Sequence, residues 1–180
     1  FIWLAEETKL INTVGEWALR AACTEVATAK HIEWLKLSVN LAARQLTDKG
    51  LLEVVERALQ DSGLAADRLT LEITESMLMH VSDVLPNLLK LKDIGVSLAI
   101  DDFGTGYSSL NYLKKLPVDI LKLDRTFVTG IPAEQRDTNI ASAVIAMAHE
   151  LKMVVVAEGI ESEAQLAFLR DNGCHVGQGF

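Results

Sequence analysis

The chain has 180 residues, enough to bury the core of one domain, and we expect a single domain over residues 1–180. Its formal charge of −8 argues against a nucleic-acid polymer or an anionic membrane surface as partner, although bound divalent cations would still admit a phosphate-bearing substrate. No apolar run approaches the roughly 20 residues of a membrane helix, and none resembles a signal peptide. The two cysteines, Cys23 and Cys174, are too few for a disulfide framework, so we expect two buried thiols in a cytoplasmic domain.

Helical and strand-like patterns alternate along the whole chain, without a linker rich in proline or serine. The predicted helices cover residues 6–30, 50–60, 85–95, 108–116, 137–151 and 162–172. The predicted strands cover residues 34–40, 69–74, 96–100, 118–123, 153–157 and 175–180, and a glycine-rich loop at 103–107 follows the third. This alternation predicts parallel strands joined by crossover helices. Two architectures fit it, a doubly wound open sheet and a (β/α)8 TIM-like barrel.

Polar side chains lie at the carboxyl ends of five successive predicted strands. They are Asn40, Glu72, Asp101 with Asp102, Lys122 and Glu158. Parallel strands covered on both faces should be nearly continuous apolar runs, and a buried carboxylate is costly unless it is paired or binds a metal. A single polar strand end also fits simple contact with solvent. Five in succession favour the barrel, because its strand ends converge on one mouth, whereas an open sheet concentrates ligands at one switch point.

The donor set at these strand ends predicts metal-assisted chemistry. Carboxylate and amide oxygens suit Mg²⁺ or Mn²⁺ better than zinc or copper. Neighbouring strand residues normally point to opposite faces, so Asp101 and Asp102 both reach the mouth only if the strand ends there, and one carboxylate can then bridge two cations. Two cations about 3.5–4 Å apart stabilise the attacking and the leaving oxygen of a phosphoryl displacement. Lys122 either orients the attacking water or forms a salt bridge with a neighbouring acid.

Seven stretches that follow one another along the whole chain resemble motifs of the EAL domain family. They are LAEET at 4–8, SVNL at 38–41, LEITE at 71–75, DDFGTGYSSL at 101–110, LKLD at 121–124, AEGIE at 157–161 and GQGF at 177–180. The resemblance implies a (β/α)8 barrel that hydrolyses the bacterial second messenger cyclic di-GMP to the linear dinucleotide with Mg²⁺ or Mn²⁺. In this interpretation cyclic di-GMP is the partner molecule and the domain forms a homodimer.

The resemblance also assigns roles to single residues. It implies that Asn40, Glu72 and Asp101 hold one metal, and that Asp101 and Asp102 hold the second. Catalytic roles fall to Lys122, on the hydrolytic water, and to Glu158, as general base or metal ligand. Three further residues would support the site, namely Glu161 and Gln178 through its water network and Glu75 by tethering the loop at 103–109.

One part of the family pattern is absent from this sequence. The glutamate-alanine-leucine tripeptide, whose glutamate binds the first metal, and the substrate-binding arginine after it would precede Phe1. We therefore expect a barrel that lacks its first strands and its end. We also expect a parent protein that carries sensory or cyclase-like domains and that could be membrane-anchored with this domain in the cytoplasm. The alternative to an enzyme is a catalytically inactive cyclic di-GMP receptor or regulatory protein-interaction domain.

The aromatic and histidine residues carry no separate functional signal in the sequence. We expect Trp3, Trp17 and Trp34 to pack helices on the outside of the barrel. The four histidines show no paired spacing that would indicate a metal site.

Overall fold

The computed structural model describes residues 2–29, 32, 34–104 and 113–180, with the backbone only for residues 79 and 80. Within these residues the helices are α1 Ile2–Glu7, α2 Leu10–Thr28, α3 Ala43–Leu46, α4 Leu51–Ser62, α5 Val81–Ile94, α6 Arg125–Val128, α7 Gln135–Glu150 and α8 Glu163–Asp171. The strands are β1 Leu37–Asn40, β2 Leu69–Thr74, β3 Ser97–Phe103, β4 Ile120–Leu123, β5 Val154–Ile160 and β6 Val176–Gly179. Two 3₁₀ turns, Ala66–Arg68 and Glu75–His80, flank β2.

The chain divides into two compact units. Unit 1 comprises Phe1–Ile73 and His80–Leu98, and unit 2 comprises Thr74–Met79 and Ala99–Phe180. Each unit packs helices against apolar strand residues that are fully withdrawn from solvent. In unit 1 these strand residues include Leu69, Leu71 and Ile73, and in unit 2 they include Ile100, Leu121, Leu123 and Val155. Long stretches of β2, β3 and β4 are buried on both faces, as parallel strands covered by helices are, whereas β1 is only partly buried and β6 is exposed.

The pairings of β1 with β2 and of β3, β4, β5 and β6 in succession are parallel, and the strands follow one another in the sheet in the order β1 to β6. At least one helix lies between consecutive strands in the sequence at every connection but that from β3 to β4, most of which falls outside the described residues. A doubly wound sheet reverses its strand order at a switch point. The observed order has no reversal, so it favours the barrel architecture.

The element boundaries agree with the sequence predictions within two residues at β2, β4 and β6 and differ more elsewhere. Strand β1 begins three residues later than predicted, at Leu37, and α5 begins four residues earlier, at Val81. The helix predicted over residues 6–30 is two helices, because Lys9 adopts a left-handed conformation with φ of 65° between α1 and α2. Strands β3 and β5 extend three residues beyond the predictions, to Phe103 and Ile160. Residues 105–112 lie outside the described part, so the helix predicted at 108–116 and most of the glycine-rich loop are not assessed.

The expectation that three tryptophans pack helices is wrong. Trp3, Trp17 and Trp34 are 70%, 71% and 77% exposed. Helix α2 buries the opposite face, with Ile11, Leu19 and Cys23, so helical spacing alone did not show which apolar face has a partner. Cys174 is only half-buried, unlike Cys23, and both thiols are free. No helix among the described residues is both long and apolar enough to cross a membrane.

Candidate active site

In unit 1, the carboxyl ends of β1 and β2 place two of the predicted ligands side by side. Asn40 lies opposite Glu72 in the parallel register, and the Leu41 amide donates a 2.9 Å hydrogen bond to the Glu72 carbonyl. Asn40 is exposed, while Glu72 retains 7% of its accessible surface. Asn40 and Glu72 therefore occupy paired positions near the carboxyl ends of neighbouring strands.

In unit 2, Lys122 joins two of the predicted acids. Its Nζ lies 2.9 Å from Asp101 Oδ1 and 2.7 Å from Glu158 Oε1. The side chains are 10%, 14% and 21% exposed for Lys122, Asp101 and Glu158. Strand β4 pairs with β3 on one side and with β5 on the other, so the lysine on the central strand reaches an acid on each neighbour. The salt-bridge alternative for Lys122 is thus observed, and to both neighbouring strands.

A bulge in β3 lies at Asp101 and Asp102. Ile100 pairs with Leu121 and Phe103 pairs with Leu123, so the two aspartates together face the single position of Lys122. Asp102 has a left-handed φ of 54°, and its amide donates a 3.0 Å hydrogen bond to Asp101 Oδ1. We expected the strand to end at these residues, whereas it continues to Phe103 with one residue more than its partner.

A second irregularity follows Glu158 in β5. Glu158 pairs with Gln178 and Ile160 pairs with Gly179, so Gly159 is the extra residue, with a left-handed φ of 72°. This register places Gln178, a predicted supporting residue, directly across from Glu158 on β6. Both strands that flank Lys122 therefore deviate from regular pairing at the acids that contact it.

The site carries more negative than positive charge. Partial burial, then the charges of Asp101 and Asp124, raise the pKa of Asp102 above its ordinary value of 3.8, against a smaller lowering effect of Lys122. Burial opposes the charged form of Asp124, but hydrogen bonds from the Thr126 hydroxyl and amide outweigh it and lower the pKa of that carboxyl. Four carboxylates thus share this region, since Glu158 contacts the same lysine, and Lys122 neutralises only part of their charge.

This arrangement fits a hard divalent cation by donor chemistry and charge. The donors are all oxygens, and the four carboxylates around one lysine leave an excess of negative charge that a cation would relieve. Among the described residues, no group of three or more Asp, Glu, His or Cys side chains is already arranged to hold a metal. The Lys122 ammonium provides positive charge between Asp101 and Glu158 instead.

Two supporting residues lie around the acids. Glu75, 4% exposed at the start of the turn after β2, accepts a 2.7 Å hydrogen bond from the amide of Gly104. This contact lies at the beginning of the loop after β3, and the loop beyond Gly104 is outside the described residues. Glu161 is exposed in the turn after β5 and lines an open pocket with Arg125, Thr126, Thr129 and Gly159.

Sequence reasoning missed two polar residues next to the site and one histidine pair. Asp124 caps α6 by accepting hydrogen bonds from the amide and hydroxyl of Thr126, and Gln165 forms a capping box with Ser162 at the start of α8. The spacings Asp-x-Thr and Ser-x-x-Gln are local signals that would have identified both. The rings of His149 and His175 lie 5.0 Å apart, a contact that their sequence separation does not indicate.

Parallel strands in sequential order, with acids and a lysine near their carboxyl ends, define a (β/α)8 TIM-like barrel. The chain belongs to the EAL domain family, whose sequence model matches residues 1–180.

Curated relatives support the same assignment. The chain is 50% identical over 184 residues to the cyclic di-GMP phosphodiesterase NbdA of Pseudomonas aeruginosa, covering 100% of this chain and 23% of NbdA. It is 44% identical over 184 residues to the bifunctional diguanylate cyclase/cyclic di-GMP phosphodiesterase MucR of the same organism, covering 100% and 27%. The chain thus spans less than a third of the length of these relatives.

Solved structures confirm the fold class. The PaMucR phosphodiesterase in complex with c-di-GMP superposes with a TM-score of 0.93 at 43% identity, covering 100% of this chain and 74% of that one. The FimX EAL domain from Pseudomonas aeruginosa bound to c-di-GMP superposes with a TM-score of 0.90 at 27% identity, covering 99% and 72%. The prediction of a TIM-like barrel is confirmed, with six parallel strands among the described residues where a complete barrel has eight.

Proposed function

We propose that this chain forms the catalytic part of a metal-dependent phosphodiesterase that hydrolyses cyclic di-GMP to the linear dinucleotide. The observation that carries this proposal is the Lys122 ammonium between Asp101 and Glu158 at the carboxyl ends of three adjacent strands. It combines a water-binding cation with carboxylates suited to bind metals or accept a proton. Membership of the EAL family and the names of the similar phosphodiesterases support cyclic di-GMP as the substrate.

The proposed metal ligands are those of the family motifs in this chain. Asn40, Glu72 and Asp101 would hold one Mg²⁺ or Mn²⁺, and Asp101 and Asp102 would hold a second. These cations would neutralise the phosphate and acidify a bound water. The support for Asn40 and Glu72 is their adjacent register and their motifs, and the support for Asp102 is its place beside Asp101 in the bulge opposite Lys122.

Lys122 and Glu158 would act on the attacking water. Lys122 is held by two carboxylates, so its N–H groups have a fixed direction, and a hydrogen-bonded water would be oriented toward the phosphorus. Glu158 retains 21% exposure of its side chain, so it can reach that water and accept its proton. Gln178, opposite Glu158, and Glu161, in the turn that follows, would complete the water network.

We further propose that both compact units act as one EAL-type domain, that it forms a homodimer and that it works in the bacterial cytoplasm. The family model that spans residues 1–180 supports the single domain. Coverage of only 22% to 31% of the curated relatives supports a parent protein with further domains, of sensory or cyclase type. The homodimer rests on the resemblance alone.

A receptor without turnover is the second candidate. The Lys122 ammonium already neutralises part of the charge of Asp101 and Glu158, so cyclic di-GMP could bind without the metals that hydrolysis requires. The FimX EAL domain, whose structure contains bound c-di-GMP, shows that EAL domains form such complexes.

The test is hydrolysis by the full-length protein with Mn²⁺ or Mg²⁺, followed by chromatography of the linear product. Asp101→Asn and Glu158→Gln should each lower kcat by roughly a hundredfold or more, because each removes a charged group from the reacting centre. Glu150→Gln, an exposed residue at the end of α7, is the matched control and should keep full activity. Binding of cyclic di-GMP without any metal-dependent product would favour the receptor. Unchanged turnover in both acid variants would contradict the site assignment.

A further inference from the structure

A buried glutamine uses its whole side-chain amide close to the site. Gln165, 6% exposed on the first turn of α8, accepts hydrogen bonds from the amides of Glu161 at 2.8 Å and Ser162 at 2.9 Å. Its Nε2 donates to the carbonyl oxygens of Val128 at 3.1 Å and Thr129 at 3.4 Å. Both lone pairs and both N–H groups of the amide are therefore used.

These four hydrogen bonds link the segment that follows β4 to the turn that follows β5. Val128 and Thr129 end α6, which begins directly after β4, the strand of Lys122. Glu161 and Ser162 form the turn directly after β5, the strand of Glu158. The same two strands carry the 2.7 Å salt bridge between Lys122 and Glu158.

The backbone after Glu158 also lies close to α6 at a second point. A Cβ atom at Gly159 would lie 2.5 Å from the Cβ of Arg125, so the backbone after Glu158 has room for glycine only. A capping box needs only the oxygen of the glutamine side chain. The hydrogen bonds from Gln165 Nε2 to the end of α6 are additional, and they connect the turn after β5 to α6.

We propose that Gln165 is a positioning residue of the active site. By fixing the turn after β5 to the end of α6, it holds Glu158 against Lys122 and fixes Glu161 beside the pocket formed with Arg125 and Thr129. This inference rests on the proposed hydrolysis of cyclic di-GMP for its catalytic consequence. The link itself rests only on the contacts of Gln165.

Gln165→Met tests the link in the full-length protein, because methionine has a similar length and offers no comparable hydrogen bonds. The matched control is Asn172→Ala, which removes another amide contact, with Ser142 at 3.0 Å, at the opposite end of the same helix. We expect kcat to fall about tenfold or more in Gln165→Met while KM changes less, since small displacements at a reacting centre are costly. Asn172→Ala should keep kcat at a comparable loss of thermal stability.

Gln165→Glu separates the two halves of the link. It keeps an acceptor for the Glu161 and Ser162 amides and loses the donation to α6, except when the glutamate is protonated. Its kcat relative to wild type should therefore be low at pH 8 and recover as the pH falls, a profile that a simple loss of stability does not produce.

Amide hydrogen exchange distinguishes failure of this inference from failure of the proposed function. Exchange at Glu161 and Ser162 should accelerate in Gln165→Met and not in Asn172→Ala, whether or not the wild type has activity. An active wild type whose Gln165→Met variant keeps kcat within about twofold would overturn the positioning role. An inactive wild type would overturn the proposed function, and unchanged exchange at these two amides would then overturn the link as well.

Discussion

Replacing Lys122 by methionine would remove the one ammonium that Asp101 and Glu158 share while keeping the length of the side chain. Lys122 is 8% exposed, and its two partners keep only 14% and 21% of their side-chain surface. Removing one partner of a buried ion pair typically costs 3–5 kcal/mol, because the remaining charge stays buried without compensation. Since the two carboxylates here keep some contact with water, we expect about 3 kcal/mol of lost unfolding free energy.

The assay is urea unfolding of the metal-free protein, followed by far-ultraviolet circular dichroism at neutral pH. Added Mn²⁺ should restore stability, because it replaces the missing positive charge. Lys115→Met, at an exposed lysine of the same unit, is the control and should change stability by less than about 0.5 kcal/mol.

A double-mutant cycle with Glu158→Gln makes the reasoning specific. The double variant should be more stable than the sum of the two single losses predicts, because it no longer leaves Glu158 charged without its partner. A loss below about 1 kcal/mol in Lys122→Met, or one that Mn²⁺ leaves unchanged, would refute the argument that Lys122 compensates the charge of the buried acids.

Three further predictions concern the loops around the acids. Glu75→Ala should cost about 2 kcal/mol in urea unfolding and raise the Mn²⁺ concentration for half-maximal turnover, because it removes the 2.7 Å bond to the Gly104 amide; an unchanged Mn²⁺ requirement would separate the tether from metal binding. The folded state lowers the pKa of Asp124, so the charged carboxylate stabilises the folded protein at pH values above its ordinary pKa of 3.8. The difference in unfolding free energy between wild type and Asp124→Asn should therefore vanish as the pH falls through and below that value. A pH-independent difference would contradict this. Gly159→Ala should lose about 2 kcal/mol of unfolding free energy and most of its activity, because Gly159 has a φ of 72° and an added Cβ would lie 2.5 Å from the Cβ of Arg125. A variant with full activity and the melting temperature of the wild type would exclude this strain.

The strand-end residues were predictable because parallel strands tolerate polar groups mainly where they end. Asn40, Glu72, Asp101, Lys122 and Glu158 all lie at those ends, as expected. Their positions alone did not show whether Lys122 forms a salt bridge. A salt bridge depends on which neighbouring strand places an acid within reach, and strand order and register are properties of pairing rather than of the segment itself.

The irregular backbone at the site was less predictable for a related reason. Gly159 signals a possible left-handed residue, but Asp102 and Lys9 adopt left-handed conformations without being glycine. Their conformations arise from tertiary contacts, so the predicted third strand ended too early and the first predicted helix was not divided. Trp17 shows the same limit for burial, because periodicity identifies an apolar face and not whether anything covers it.

The extra residues in β3 and β5 affect the direction of the acidic side chains on these strands. In a regular strand Asp101 and Asp102 would point to opposite faces, and only the two-against-one pairing with Lys122 changes this. Deleting one residue at either bulge would restore a regular ladder and redirect an acid while the apolar core stayed intact. A lineage could therefore silence such a domain by losing a single codon, and a designer who grafts these acids onto an ideal barrel must copy the backbone irregularity with them.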